Sequence, residues 1–136
     1  MKKVHHISPD ALTFAHLDTL INENIQLILS DESKARIKKN RAYLEQILTK
    51  KGTPIYGVNT GFGKLCDVRI SHQDLEKLQH NLVVSHACGT GDEVPAEIVR
   101  LMLLLKIQSL SYGYSAIRLE TIESLLHLYN NDILSE

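Results

Sequence analysis

The residues best suited to chemistry in this 136-residue chain lie in one stretch, Tyr56-Gly57-Val58-Asn59-Thr60-Gly61-Phe62-Gly63. Glycine takes positive φ at no steric cost, so three of them in this spacing describe a loop that turns sharply and can move. Pro54 pushes Thr53 toward an extended conformation and stops any preceding helix there. A phenol at the mouth of such a loop is suited to giving or taking a proton. From composition alone the same stretch also reads as a surface turn with an incidental tyrosine, and both readings stand. Two phosphate-binding readings fail. A Walker-type loop ending at Gly63-Lys64 needs glycine at 58 and Ser or Thr at 65, where the chain has Val58 and Leu65. A dinucleotide fingerprint from Gly61 needs a small third residue after an apolar strand, but Cys66 stands there and no such strand precedes it. His86, in the pair Ser85-His86, lies near the C-terminal end of a predicted helix. A histidine near a helix C-terminus is favoured by the helix dipole with no ligand involved.

The elements that would position these groups read as helices. Thr13 caps a first helix carrying Phe14, Leu17, Leu20 and Ile21 at helical spacing. Residues 4 to 10 before it form a short extended piece ending in the turn Ser8-Pro9-Asp10. The run Ile25–Leu29 fits strand or helix equally. Ser30 caps a second helix with Asp31 and Glu32 in its first turn and a stripe of Ile37, Leu44, Ile47 and Leu48, closed by Lys50, Lys51 and Gly52. Beyond the glycine loop, Ser71 and Asp74 resemble a capping box for a third helix with Leu75, Leu78, Leu82 and Val83, which Gly89 is placed to end. A fourth helix opens at Pro95, runs to about Tyr112 and is apolar almost all round, so it needs burial on most faces. A fifth, from about Ser115, carries Leu119, Ile122, Leu125, Leu126 and Tyr129. The expectation is an all-α chain of about five helices with a glycine-rich loop between helices two and three, forming a single helical unit over residues 1–136.

Composition narrows the partners. Charge is nearly balanced, with 15 Lys+Arg against 16 Asp+Glu, and no basic block suggests nucleic acid or an acidic membrane surface. The longest apolar stretch, 98–110, is broken by Arg100 and Lys106 and is too short to span a bilayer. Cys66 and Cys88 have no metal-ligand spacing and read as reduced and structural, which points to the cytoplasm. His5, His6, His16, His72, His80 and His127 are scattered, so no metal site is expected.

Three blocks in order, YGVNTGFGKL at 56–65, LQHNLVVSHACGTG at 78–91 and VRLMLLLKIQSLSYGYSAIRL at 99–119, resemble the aromatic amino-acid ammonia-lyases, above all their histidine-specific members. The similarity runs from about Ile7 to Ile133. The resemblance implies a helical fold, tetrameric assembly, and elimination of ammonia from an amino acid, L-histidine being favoured. It implies that Tyr56 removes the β-proton, with Gly57, Asn59, Thr60, Gly61, Phe62 and Gly63 forming the lid around it. A free phenol titrates near pH ~10, so that role requires positive charge or hydrogen bonds that stabilise the phenolate. It further implies that Ser85 and His86 face the substrate side chain, Ser-His being typical of the histidine-specific enzymes. The family's electrophile is methylidene-imidazolone (MIO), formed from an Ala-Ser-Gly tripeptide that this sequence lacks. The chain by itself is therefore expected to form no MIO and to be inactive, as the N-terminal portion of a lyase. Ala116 departs from the family, where glycine commonly follows the serine. Two competing readings remain: a portion of a tyrosine or phenylalanine lyase or aminomutase, and a non-catalytic helical module whose property is self-association.

Overall fold

The computed structural model describes residues 3–23, 25–49, 54–65, 68, 70, 71 and 74–134. The elements in order are β1 (Lys3–Ile7), α1 (Phe14–Asn22), β2 (Ile25–Leu29), α2 (Asp31–Thr49), a short 3₁₀ turn (Gly63–Leu65), α3 (Leu75–His86), α4 (Ala96–Ser111) and α5 (Leu119–Asn130). The chain divides into two compact units, one formed by residues 1–46 with 93–136 and the other by residues 47–92.

In the first unit, β1 and β2 pair in parallel, with Lys3 opposite Ile25 and Ile7 opposite Leu29. Parallel strands need a crossover, and α1 supplies it. Thr13 caps α1 as expected: its hydroxyl accepts the His16 N–H, and the His16 ring answers the Thr13 N–H. The run 25–29, open between strand and helix in the sequence, is a strand that buries Ile25, Leu27 and Leu29 on alternate positions. Tertiary structure decides the matter. The Asn130 amide accepts the Leu27 N–H and donates to the Leu27 carbonyl, both at 2.8 Å, as a third strand would. The few strand signals in the sequence thus understate a small sheet inside an otherwise helical fold.

Ser30 accepts the Ser33 N–H at the start of α2, and the buried Ser33 hydroxyl donates to the Ile7 carbonyl. Around the sheet, α2 contributes Ile37, α4 contributes Leu104, Ile107 and Leu110, and α5 contributes Ile122, Leu126 and Tyr129 to a single core. Gln108 is buried with them, its amide donating to the carbonyls of Ser8 and Asp10. Pro95 precedes α4 as its N-cap. After α4, Gly113 sits at φ +75°, where a Cβ would lie 2.8 Å from Arg36 Cβ and 2.9 Å from the Arg36 carbonyl carbon. Only glycine lets the chain pass α2 that closely.

Two further expectations change in detail. α5 begins at Leu119, not near Ser115, because Ala116 adopts φ +52° and Arg118 becomes the N-cap. The stripe of α2 is uneven, with Ile37 buried but Leu48 exposed. Lys50, Lys51 and Gly52, read as closing that helix, lie outside the described residues.

In the second unit, Ser71 and Asp74 do exchange hydrogen bonds, the Ser71 hydroxyl donating to the Asp74 carboxylate at 2.6 Å and accepting the Asp74 N–H. α3 nevertheless starts one turn later, at Leu75, with Asp74 as its N-cap. It ends at His86 with Ala87 as C-cap, short of Gly89, because Ala87 leaves the helical region at φ −78°, ψ 67° and the Cys88 N–H turns to the His86 carbonyl. Leu78 and Leu82 are half-buried and Val83 is exposed. The described part of this unit buries only Thr60 and Gly61.

Candidate functional site

The glycine loop is built by its own backbone. Val58 and Asn59 N–H donate to the Ile55 carbonyl at 3.0 and 3.1 Å, and the Asn59 side-chain oxygen accepts the Ile55 N–H at 2.7 Å. This five-residue turn requires Gly57 at φ +71°. A Cβ at Gly57 would meet Phe62 Cε1 at an ordinary 3.5 Å, so glycine is required there by the dihedral and not by space. The same holds for Gly63, at φ +56° with open space around it. Beyond the turn the chain pairs with itself: Gly61 N–H donates to Val68 O and Ile70 N–H to Asn59 O. Thr60 is buried between them, its hydroxyl donating to the Gly61 carbonyl at 3.1 Å. Asn59, Thr60 and Gly61 are therefore the anchored side of the loop.

Tyr56 is on the other side. It is 65% exposed and meets Phe62 edge-to-face, with ring centroids 6.1 Å apart at 74°. That geometry suits the aromatic quadrupoles and limits the swing of the phenol ring. Among the described residues, no hydrogen bond engages the Tyr56 hydroxyl, which leaves it free for a substrate.

Ser85 and His86 lie in the last turn of α3, both exposed. The Ser85 hydroxyl donates to the Leu82 carbonyl at 3.0 Å, and His86 Nδ1 lies 2.9 Å from the same oxygen and 3.0 Å from Ser85 Oγ. The neutral ring has two arrangements here: Nδ1–H donating to the Leu82 carbonyl with Nε2 as acceptor, or Nδ1 accepting from the Ser85 hydroxyl with Nε2–H as donor. In both, the helix end holds the ring through Nδ1. No hydrogen bond joins Tyr56 to His86 among the described residues. Spacing alone placed the pair at a helix end; the Leu82 carbonyl that both side chains share has no sequence signal.

Of the remaining candidates, Cys88 is a free thiol and exposed, which corrects its reading as a structural residue; Cys66 and His72 lie outside the described residues. Among the described residues, no group of three or more His, Cys, Asp or Glu side chains is arranged to hold a metal ion. No described helix is long and apolar enough to cross a membrane.

The family model for aromatic amino acid lyases matches residues 12–135. The chain belongs to that family. It is 51% identical over 116 residues to the histidine ammonia-lyase of Deinococcus radiodurans, a match covering 85% of this chain and 22% of that protein. The crystal structure of histidine ammonia-lyase from Trypanosoma cruzi superposes with a TM-score of 0.79 at 36% identity, over 94% of this chain and 24% of that one. The tyrosine aminomutase of Streptomyces globisporus superposes with a TM-score of 0.85 at 28% identity, over 98% and 25% respectively. The chain thus spans about a quarter of the length of the relatives it matches.

Proposed function

We propose that this chain is the portion of a histidine ammonia-lyase that carries the tyrosine loop and the imidazole-recognising pair, acting in conversion of L-histidine to urocanate and ammonia. The observation that carries the reading is its sequence agreement with histidine-specific lyases. Among the solved structures, the histidine enzyme shares 36% identity where the tyrosine aminomutase shares 28% despite its higher TM-score. The tyrosine-specific alternative is thereby the weaker one. We place the lyase in the cytoplasm, where an exposed thiol such as Cys88 stays reduced, and as a homo-oligomer like its family.

In this reading the Tyr56 phenolate takes the β-proton, and the C–H electron pair forms the new double bond as the amine leaves. Phe62 holds the ring edge-on, and the Asn59–Gly61 anchor fixes the lid from which Tyr56 reaches substrate. His86 Nε2 hydrogen-bonds the substrate imidazole while Nδ1 stays held at the end of α3 by Leu82 and Ser85. The family's electrophile needs Ala-Ser-Gly, a triplet absent from these 136 residues, so the residues present do not supply it and no step is assigned to it here.

The test uses two proteins: this chain alone, and a full-length chimera in which it replaces the matching quarter of the D. radiodurans enzyme. The chain alone should form no urocanate from L-histidine, and the chimera should form it. Turnover by the pure chain, or a folded chimera active on L-tyrosine in preference to L-histidine, would overturn the reading.

A further inference from the structure

α4 does not bury its apolar residues evenly. Leu104, Ile107 and Leu110 enter the core, whereas Met102 is 62% exposed and Ile98 and Leu105 are more than 40% exposed. The expectation that this helix needs cover on most faces is met within the described residues on one side only. Beside the exposed side runs a groove of about 480 Å³, lined by Val99, Met102 and Leu103 of α4, Leu125 and Leu128 of α5, and Ile133 after it. Positions 99, 102, 103 and 106 follow the i, i+3, i+4, i+7 pattern of one helix face, which forms ridges of the kind a second helix packs against. Lys106 also lines the groove, no acidic residue does, and among the described residues Lys106 forms no ion pair.

We propose that this groove seats an apolar helix from the further lyase polypeptide, one carrying a carboxylate opposite Lys106. The inference rests on membership of the lyase family and not on histidine as substrate. Three quarters of each relative's length lies outside the match, while nearly all of this chain lies within it. An apolar groove left on so small a share of the fold is where the remainder packs. The charge distribution argues against a second copy of this chain as occupant. A two-fold pairing through the groove sets the same patch against itself, bringing Lys106 toward its twin with no carboxylate in the lining.

The chain reports on the groove through its own chemistry, because Met102 is its one methionine besides Met1. Peroxide oxidation of Met102, mapped by mass spectrometry, should proceed in the chain alone nearly as in a free peptide. In the full-length chimera it should slow by roughly a hundredfold or more, as expected for a thioether reached only through local opening. The chain alone should also brighten an anilinonaphthalene sulfonate dye, and Met102→Asp should abolish most of that signal while leaving helical circular dichroism intact. Equal oxidation in chain and chimera would overturn the proposal, as would absence of dye binding by the chain. Protection in the chain alone that grows with its concentration would overturn it too, in favour of a second copy. Urocanate formation separates this proposal from the functional reading. A folded chimera that protects Met102 but makes no urocanate keeps the groove and sinks the histidine chemistry. One that makes urocanate with Met102 freely oxidised does the reverse.

Discussion

Tyr56 carries the chemistry in this account, and its surroundings divide the labour: Gly57 and Gly63 bend the loop, Asn59 and Thr60 anchor it, and Phe62 limits the ring. Tyr56→Phe in the full-length chimera should therefore lower kcat by roughly 10²–10⁴-fold, the usual contribution of general-base catalysis, with little change in KM. A kcat within a few-fold of the parent would place the base elsewhere. The loop's glycine requirement and the candidate pair Ser85-His86 were legible in the sequence. The pairing of Asn59 and Gly61 with Ile70 and Val68 was not, because backbone hydrogen bonds leave no residue-type signature. A second residue-scale consequence concerns His5, half-buried on β1. Burial first, then the charges of His16 and His6, lower its pKa below 6.5. The unfolded chain then binds this proton more readily than the folded one, so between the two pKa values stability rises with pH. Equivalently, stability is lost as pH falls through 6.5 toward the folded value. His5→Gln should flatten the dependence of Tm on pH between about 7 and 5, and an unchanged slope would contradict the assignment.

At the scale of elements, helix existence was readable from periodicity and caps, and the boundaries were readable only where a side chain made the cap. Thr13 and Ser30 start their helices because their hydroxyls accept an N–H of the first turn. Ser71 forms the same kind of contact, yet α3 begins a turn later, so a capping pattern marked a turn and not the helix itself. Gly89 failed as a terminator because Ala87, at ψ 67°, had already left the helical conformation. β2 was ambiguous for a different reason: its second partner is the Asn130 amide, 103 residues away in the chain, and no local pattern encodes that contact. The connection between α4 and α5 yields the clearest prediction at this scale. Ala116 holds φ +52°, a conformation that costs a residue with a Cβ about 1–2 kcal/mol, at the position where the family commonly has glycine. Ala116→Gly removes that strain and returns part of it as unfolded-state freedom, for a net gain of about 0.5–1 kcal/mol. Urea unfolding measures it, and a loss of stability would show that the Ala116 methyl makes packing contacts that outweigh its backbone.

For the molecule as a whole, the first unit has a continuous core from β1, β2, α1, α2, α4 and α5, whereas the described part of the second buries little beyond Thr60 and Gly61. The candidate chemistry thus sits in the unit with the least internal support, as expected for a loop that must meet a substrate and move. Apolar patterning gave the helical class in advance, and the three sequence blocks gave the family. Neither could give the groove beside α4, since which apolar positions lack cover depends on tertiary packing. The central claim is that Ser85-His86 reads an imidazole ring, through the Nε2 of a histidine whose Nδ1 is held at the end of α3 by Leu82 and Ser85. A site that hydrogen-bonds its substrate rejects plain aromatic rings because its own polar group is then left unpaired. The direct measurement is the ratio of kcat/KM for L-histidine over L-phenylalanine in the full-length chimera, before and after His86→Leu. The account predicts that the ratio falls by roughly ten- to a hundredfold, the worth of one buried hydrogen bond, chiefly through loss on L-histidine. A ratio unchanged by the substitution would contradict it and leave His86 a helix-end histidine with no part in choosing the substrate.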